Sequence, residues 1–205
     1  MNSQEIDARF EMLKQHHTKT LDDAIDNGLV DTPIIDFLNE VKKLPTIFTS
    51  SSCSGRIMLL IGDEDENKQN SSFLKKFHNT ITLSDLKQEL NNLPDSGLVW
   101  LKVEPFIFHF GLKDYDSAKD LLNFCRDFGL KKAGIISARD GKFTCEVTNT
   151  VYLSTVIAKN GVLLIDEKYL SLLTDIANQK LENNFEKLKR FISDFLKKYH
   201  WFIFF

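Results

Sequence analysis

Residues 98–112 read LVWLKVEPFIFHFGL. Aromatic and branched apolar side chains dominate the run, which marks it as β-strand rather than helix. Pro105 has no N–H to give to a ladder, so a bend, a bulge or a sheet edge lies at Glu104-Pro105. Strict alternation places Glu104, Phe106 and Phe108 on one face and His109 on the other. A carboxylate inside so apolar a strand is costly unless it is paired or functional.

Downstream of this run, Asp116 or Ser117 caps a helix that reaches Phe128, and Gly129 suits the position just past its end. Strands near 134–138 and 142–148 flank Asp140-Gly141, and strands at 151–158 and 162–165 flank Asn160-Gly161. Both dipeptides are hairpin turns. Asp166 then caps a helix to about Lys198. Its inward set reads Tyr169, Leu172, Leu173, Ile176, Ala177, Leu181, Phe185, Leu188, Phe191, Ile192 and Phe195. Upstream, Ile6, Phe10 and Leu13 recur at helical spacing. Thr32 as N-cap and Pro33 at the first helical position open a second helix that Pro45 ends. A short strand at 46–49, a loop from Ser50 to Gly55 and a doubly buried strand from Arg56 to Ile61 follow. Residues 62–72 read as a surface loop, a weak strand or turn reaches Thr82, and Ser84 caps a short helix. Hairpins mixed irregularly with helices, with no repeat and no linker, predict an α+β fold. The expectation is a single domain over 1–198, with a mixed or mainly antiparallel sheet, flanking helices and a long C-terminal helix. Residues 199–205 form an apolar tail.

The chain has 205 residues, 42% hydrophobic and 27% charged, which is ordinary globular usage. No apolar run is long enough to span a bilayer, and no signal peptide is read, so no membrane is expected. Three scattered cysteines give neither a disulfide framework nor a metal knuckle, so the expected compartment is cytoplasmic and the expected metal is none. The net charge of −3 excludes a globally basic nucleic-acid binder but not a local basic patch. From Asp166 to Glu186 the last helix holds five acids and two bases; from Lys187 to Lys198 it holds five bases and one acid. That order complements the helix macrodipole and also creates a basic end. Neither G-x-G-x-x-G after a strand nor G-x-x-x-x-G-K-[ST] occurs, so a nucleotide or adenosine cofactor needs a different kind of site. The 17 phenylalanines read mostly as compositional bias.

Three segments carry candidate chemistry. In Thr49 to Ile57, TSSSCSGRI, small hydroxyls and a glycine let backbone N–H groups approach a ligand, and Arg56 offers a fork of donors to carboxylate or phosphate. A plain Ser-rich turn, a phosphate-ligand site, a hydrolase, and a Cys53 nucleophile without an assignable base all stay open here. In Leu101 to His109, Glu104 and His109 stand out. In Phe128 to Ile135, a helix end bearing Lys131 and Lys132 feeds a strand at Gly134.

Taken in order and spacing, SSSCSGRI, LKVEPFIFH, GLKKAGI and the IANQK of the last helix resemble the tRNA wybutosine-synthesizing methyltransferases, the third enzymes of that pathway. The resemblance runs from about Phe10 to Phe195. It implies an S-adenosylmethionine-dependent N-methylation of the tricyclic wyosine intermediate, at the guanosine 3′ of the anticodon of phenylalanine tRNA. It implies cofactor contacts from Ser51, Ser52, Cys53, Ser54, Gly55, Arg56 and Gly134. It implies substrate contacts from His109, Lys131, Lys132, Asn178 and Lys180, and proton transfer by Glu104 or His78. Asp26-Asn27 stands where the family carries basic residues, Lys132-Ala133 where it carries Asn-Ser, and Thr148 where an Arg is common. With these cations missing, tRNA binding is expected to be weak and strongly salt-sensitive. A non-catalytic tRNA-binding relative is the competing expectation. The long helix or the tail could serve a homodimer.

Overall fold

The computed structural model describes residues 2–63 and 71–199. Among them lie helices α1 (Ser3–Asp26), α2 (Ile35–Lys43), α3 (Leu83–Leu90), α4 (Tyr115–Phe128) and α5 (Glu167–Tyr199). The strands are β1 (Ile47–Cys53), β2 (Arg56–Gly62), β3 (Ser72–Phe77), β4 (Leu98–Glu104), β5 (Ile107–Leu112), β6 (Gly134–Arg139), β7 (Lys142–Thr148), β8 (Leu153–Lys159) and β9 (Val162–Leu163). The fold is α+β, as expected, but its strands make two sheets rather than one, ordered β1-β5-β7-β6 and β3-β2-β4-β8-β9. Every pairing is antiparallel.

The long run at 98–112 is where the single-sheet expectation fails. The chain leaves one sheet at Glu104 and enters the other at Ile107, with Pro105 between. The same happens between β1 and β2, where Ser54 and Gly55 join strands of different sheets. Two compact units result. One comprises Met1–Ser54, Phe106–Thr150 and Lys187–Phe205; the other comprises Gly55–Pro105 and Val151–Glu186.

In the first unit, one face of the four-stranded sheet carries Phe108, Phe110, Cys145 and Val147, all fully buried. Over it, Phe37 of α2, Phe124 and Phe128 of α4, and Phe191 and Phe195 of α5 interlock with Phe106, Phe108 and Phe110, ring centroids 5.1–6.4 Å apart. Eight of the 17 phenylalanines thus pack in this layer, with edge-to-face and stacked pairs adding to plain burial. On the opposite face, Phe48 covers Gly111 and is flanked by Phe10 and His17 of α1, at centroid distances of 5.6 and 4.8 Å.

In the second unit, Ile57, Leu59, Val99, Leu101, Val103, Ile157 and Ala158 present one face of the five-stranded sheet to Leu86 of α3 and to Leu170, Leu173, Ala177 and Leu181 of α5. Both hairpin turns form where expected, at Asp140-Gly141 and Asn160-Gly161.

Several local expectations are corrected. Ser50 to Cys53 is strand, not loop, because β1 pairs with β5 out to Cys53. Thr32 is not an N-cap: Thr32–Ile34 form a 3₁₀ turn that leads into α2. Thr82, not Ser84, caps α3, through a capping box with Asp85. Asp114, not Asp116 or Ser117, caps α4. On α5 the inward stripe begins at Leu170, so Tyr169, Leu172 and Ile176 face solvent at 46%, 50% and 37% exposure. The expectation of a surface loop at 62–72 falls largely, and that of an apolar tail almost wholly, outside the described residues.

Candidate functional site

The first unit brings three of the expected residues onto one row. Ser51 of β1 pairs with His109 of β5, His109 with Glu146 of β7, and Glu146 with Gly134 of β6. Residues in register share a face, so their side chains meet across strands. A register shift between Thr49 and Ser51 leaves an extra residue, Ser50, whose hydroxyl lies 3.4 Å from the His109 carbonyl. Bulges of this kind re-aim neighbouring side chains. Here the result is that Ser51 Oγ lies 2.5 Å from His109 Nδ1, while His109 Nε2 lies 3.1 Å from Glu146 Oε2. With its hydrogen on Nε2, facing the Glu146 carboxylate, the His109 ring presents the Nδ1 lone pair to the serine hydroxyl. An added Cβ at Gly134 would meet nothing within 4 Å, so the flank of Glu146 on that strand is open. Sequence reasoning missed Glu146: its link to His109 spans 37 positions and exists only through strand register.

Beside this row is a cavity of about 200 Å³, lined by His17, Leu21, Ala24, Leu29, Val30 and Leu38 on one side and by Thr49 to Ser52 on the other. Ser52 Oγ is buried and, among the described residues, has no hydrogen-bond partner. Burial, then Lys142 and His16, lower the pKa of His17 below the usual imidazole range, so its ring is a neutral wall of the cavity at pH 7. Ser54 is fully buried, and both its N–H (2.7 Å) and its hydroxyl (3.0 Å) donate to Asp31 Oδ2. Cys53 is of intermediate exposure and outside any disulfide among the described residues. Burial pushes Cys125 up to about 12 and Cys145 up to about 11, so neither forms a thiolate nucleophile. Thr148 donates to the Phe106 carbonyl at 2.8 Å.

Lys131 and Lys132 are exposed on the turn after α4. Lys187 Nζ lies 3.4 Å from the Gly129 carbonyl and the Arg190 guanidinium 5.8 Å from the Phe128 ring, so two of the basic stretches of sequence meet at the end of α4. The other basic pairs are partly neutralised: Lys42 by Asp22, Lys43 by Glu40 and, in the second unit, Lys75 by Glu89.

The second unit holds the remaining expected residues. Arg56 of β2 is in register with Glu104 of β4, and its Nε and Nη2 both donate to Glu104 Oε2, at 3.1 and 2.8 Å. Glu104 is therefore a partner of Arg56 and already accepts two bonds. The half-exposed Phe73 ring has the Arg56 guanidinium 5.0 Å and the Lys76 ammonium 3.8 Å from its centroid. His78 is partly buried just after β3. Gly55 is buried against Asn184 and the Glu104 carbonyl. Asn178 grips the backbone of Ile81, accepting from its N–H at 2.9 Å and donating to its carbonyl at 2.7 Å, so its amide is engaged in fixing α5 to the segment before α3. Lys180 is half-buried on α5.

No helix among the described residues is long and apolar enough to cross a membrane. The family described as Methyltransferase TYW3 matches residues 8–197. The tRNA(Phe) 7-((3-amino-3-carboxypropyl)-4-demethylwyosine(37)-N(4))-methyltransferase of Thermococcus sibiricus is 32% identical over 181 residues, covering 88% of this chain and 91% of the relative. The protein of the same name from Methanocaldococcus jannaschii is 34% identical over 188 residues, covering 90% and 97%. The solved structure of the PH1069 protein from Pyrococcus horikoshii superposes with a TM-score of 0.86 at 31% identity, covering 92% of this chain and 97% of that one.

Proposed function

The chain belongs to the TYW3 methyltransferase family, and on that premise we propose that it methylates N4 of the tricyclic 4-demethylwyosine at position 37 of phenylalanine tRNA, next to the anticodon. The observation that carries the reading is the family match along nearly the whole chain, with relatives named for this reaction. It favours a methyltransferase over a non-catalytic RNA-binding relative or a phosphate-site hydrolase. We place the work in the cytoplasm, in keeping with three scattered cysteines that give no disulfide framework.

S-adenosylmethionine supplies a methyl group activated on a sulfonium. The cavity beside β1 fits part of such a molecule: an apolar wall from Leu21, Ala24, Leu29, Val30 and Leu38 suits an adenine ring, and the buried hydroxyl of Ser52 awaits a polar partner. The chain's contribution is mainly positioning, because an in-line displacement needs alignment and exclusion of water more than covalent help. Lys131, Lys132, Lys187 and Arg190 suit RNA phosphates. Glu104 fixes the fork of Arg56 and leaves its remaining N–H donors for an anionic group. A homodimer built on α5 belongs to the same proposal, supported by the exposed stripe of Tyr169, Leu172 and Ile176. Sedimentation that finds only monomer refutes that part. The test of the function is incubation of the purified chain with S-adenosylmethionine and tRNA(Phe) carrying the demethylated tricycle. Mass spectrometry of the digested nucleosides is expected to show one added methyl, and an unchanged nucleoside refutes the reading.

A further inference from the structure

We propose that Ser51, His109 and Glu146 form a proton relay that receives the N–H proton displaced by methylation. The inference rests on the methyltransferase reading and adds the groups that make the ring nitrogen nucleophilic. A neutral ring nitrogen that gains a methyl must lose its hydrogen, so some group must accept that proton as the new N–C bond forms. Of the residues first suggested by the motifs, Glu104 already takes two bonds from Arg56 on Oε2.

The row across β1, β5 and β7 has a relay's geometry. Ser51 borders the cavity given to the methyl donor and is the most exposed member of the row, so its hydroxyl is the one to meet a substrate held beside that donor. Behind it, at 2.5 Å, is the bare Nδ1 of His109, and behind that, 3.1 Å from Nε2, is Glu146. The hydroxyl hydrogen passes to Nδ1 as Ser51 Oγ takes the hydrogen of the ring N–H. The N–H bond breaks, an O–H bond forms in its place, and the freed electron pair becomes the N–CH₃ bond as the methyl leaves sulfur. The imidazolium is held by Glu146 and later returns its proton to water. Ser51 ends unchanged, so the serine is a relay and not a nucleophile. Glu146 acts through His109: it is a positioning residue that fixes the tautomer, as an acid behind a histidine does in hydrolases.

The experiment compares wild type with Ser51→Ala, His109→Gln, His109→Gly and Glu146→Gln under single-turnover conditions. Circular dichroism and urea unfolding confirm that each variant is folded. His109→Gln is expected to slow methyl transfer by about 10²–10⁴-fold, Glu146→Gln to slow it as well, and added imidazole to restore part of the rate in His109→Gly. A second readout needs no turnover. Long-range ¹H–¹⁵N correlation on labelled histidine should show Nε2 protonated and Nδ1 bare in wild type, with that preference lost in Glu146→Gln. A wild type with Nδ1 protonated overturns the relay. Variants that methylate as fast as wild type overturn the relay and leave the methyltransferase reading standing. A wild type that leaves the tRNA unmethylated overturns the methyltransferase reading and the relay with it.

Discussion

Gly55 is the next-to-last residue of the SSSCSGR motif, and replacing it with alanine should damage the protein by two separable routes. Its φ is +100°, a conformation that costs a residue with a side chain about 1–2 kcal/mol. A Cβ there would lie 2.4 Å from Asn184 Nδ2, 3.1 Å from Asn184 Cγ and 3.1 Å from the Glu104 carbonyl oxygen. Asn184 is fully buried and the carbonyl is backbone, so neither yields easily, and overpacking of this kind costs about 1–3 kcal/mol. Together the penalty is about 2–5 kcal/mol, or a Tm roughly 4–20 °C lower at about 2–4 °C per kcal/mol for a chain of this size. Gly129 is the control. Its φ of +92° is nearly the same, but an added Cβ meets nothing within 4 Å, so Gly129→Ala should show only the conformational part, about 1–2 kcal/mol. Urea unfolding of both variants, with Asn184→Ala and the Gly55→Ala/Asn184→Ala double variant to complete a cycle, measures the crowding term directly. If Gly55→Ala loses no more stability than Gly129→Ala, the close approach to Asn184 is not what demands glycine, and the reasoning fails.

Phe191→Ala should cost about 3–5 kcal/mol in urea unfolding, because its ring meets those of Phe37, Phe106, Phe108, Phe124, Phe128 and Phe195 and leaves a cavity that rigid rings cannot close; a cost under about 1 kcal/mol would refute that packing. His17 has a folded pKa lowered from 6.5 by burial and by Lys142 and His16, so its protonation opposes folding. The stability of wild type relative to His17→Gln should therefore fall as pH drops through about 6.5 and level off below the folded value, and a difference that stays flat with pH contradicts it. Lys131→Ala with Lys132→Ala should weaken tRNA binding with no preference for sequence and make the plot of log K against log salt shallower by about 1 for each phosphate that is no longer neutralised; an unchanged slope removes that turn from the RNA surface.

The legible parts of the fold were those set by short-range chemistry. Asp140-Gly141 and Asn160-Gly161 announce hairpins by themselves, and Asp166 caps α5 where expected, accepting from Tyr169 N–H at 2.8 Å. Two of the misreadings share a cause, which is that distant pairing overrides local preference. Ser50 to Cys53 has poor strand propensity, yet β5 supplies it with a ladder. Along α5, two apolar stripes overlap at helical spacing, one through Tyr169, Leu172 and Ile176 and one through Leu170, Leu173 and Ala177, and only the packed sheet decides which is inside. For the site, Ser51 and His109 were visible as unusual residues in their motifs. Their bond spans 58 positions, and Glu146 had no motif of its own.

The aromatic core of the first unit has a consequence for how the molecule is made. Phe106, Phe108 and Phe110 come from the middle of the chain, and the rings of Phe191 and Phe195 that seal them come from the latest of that unit's three segments. At about 5–20 residues per second, the ribosome leaves that sheet face uncovered for several seconds before its lid exists. The nascent chain thus carries a sticky aromatic surface through much of its synthesis, and its yield in a cell should depend on holdase chaperones more than its final stability would suggest.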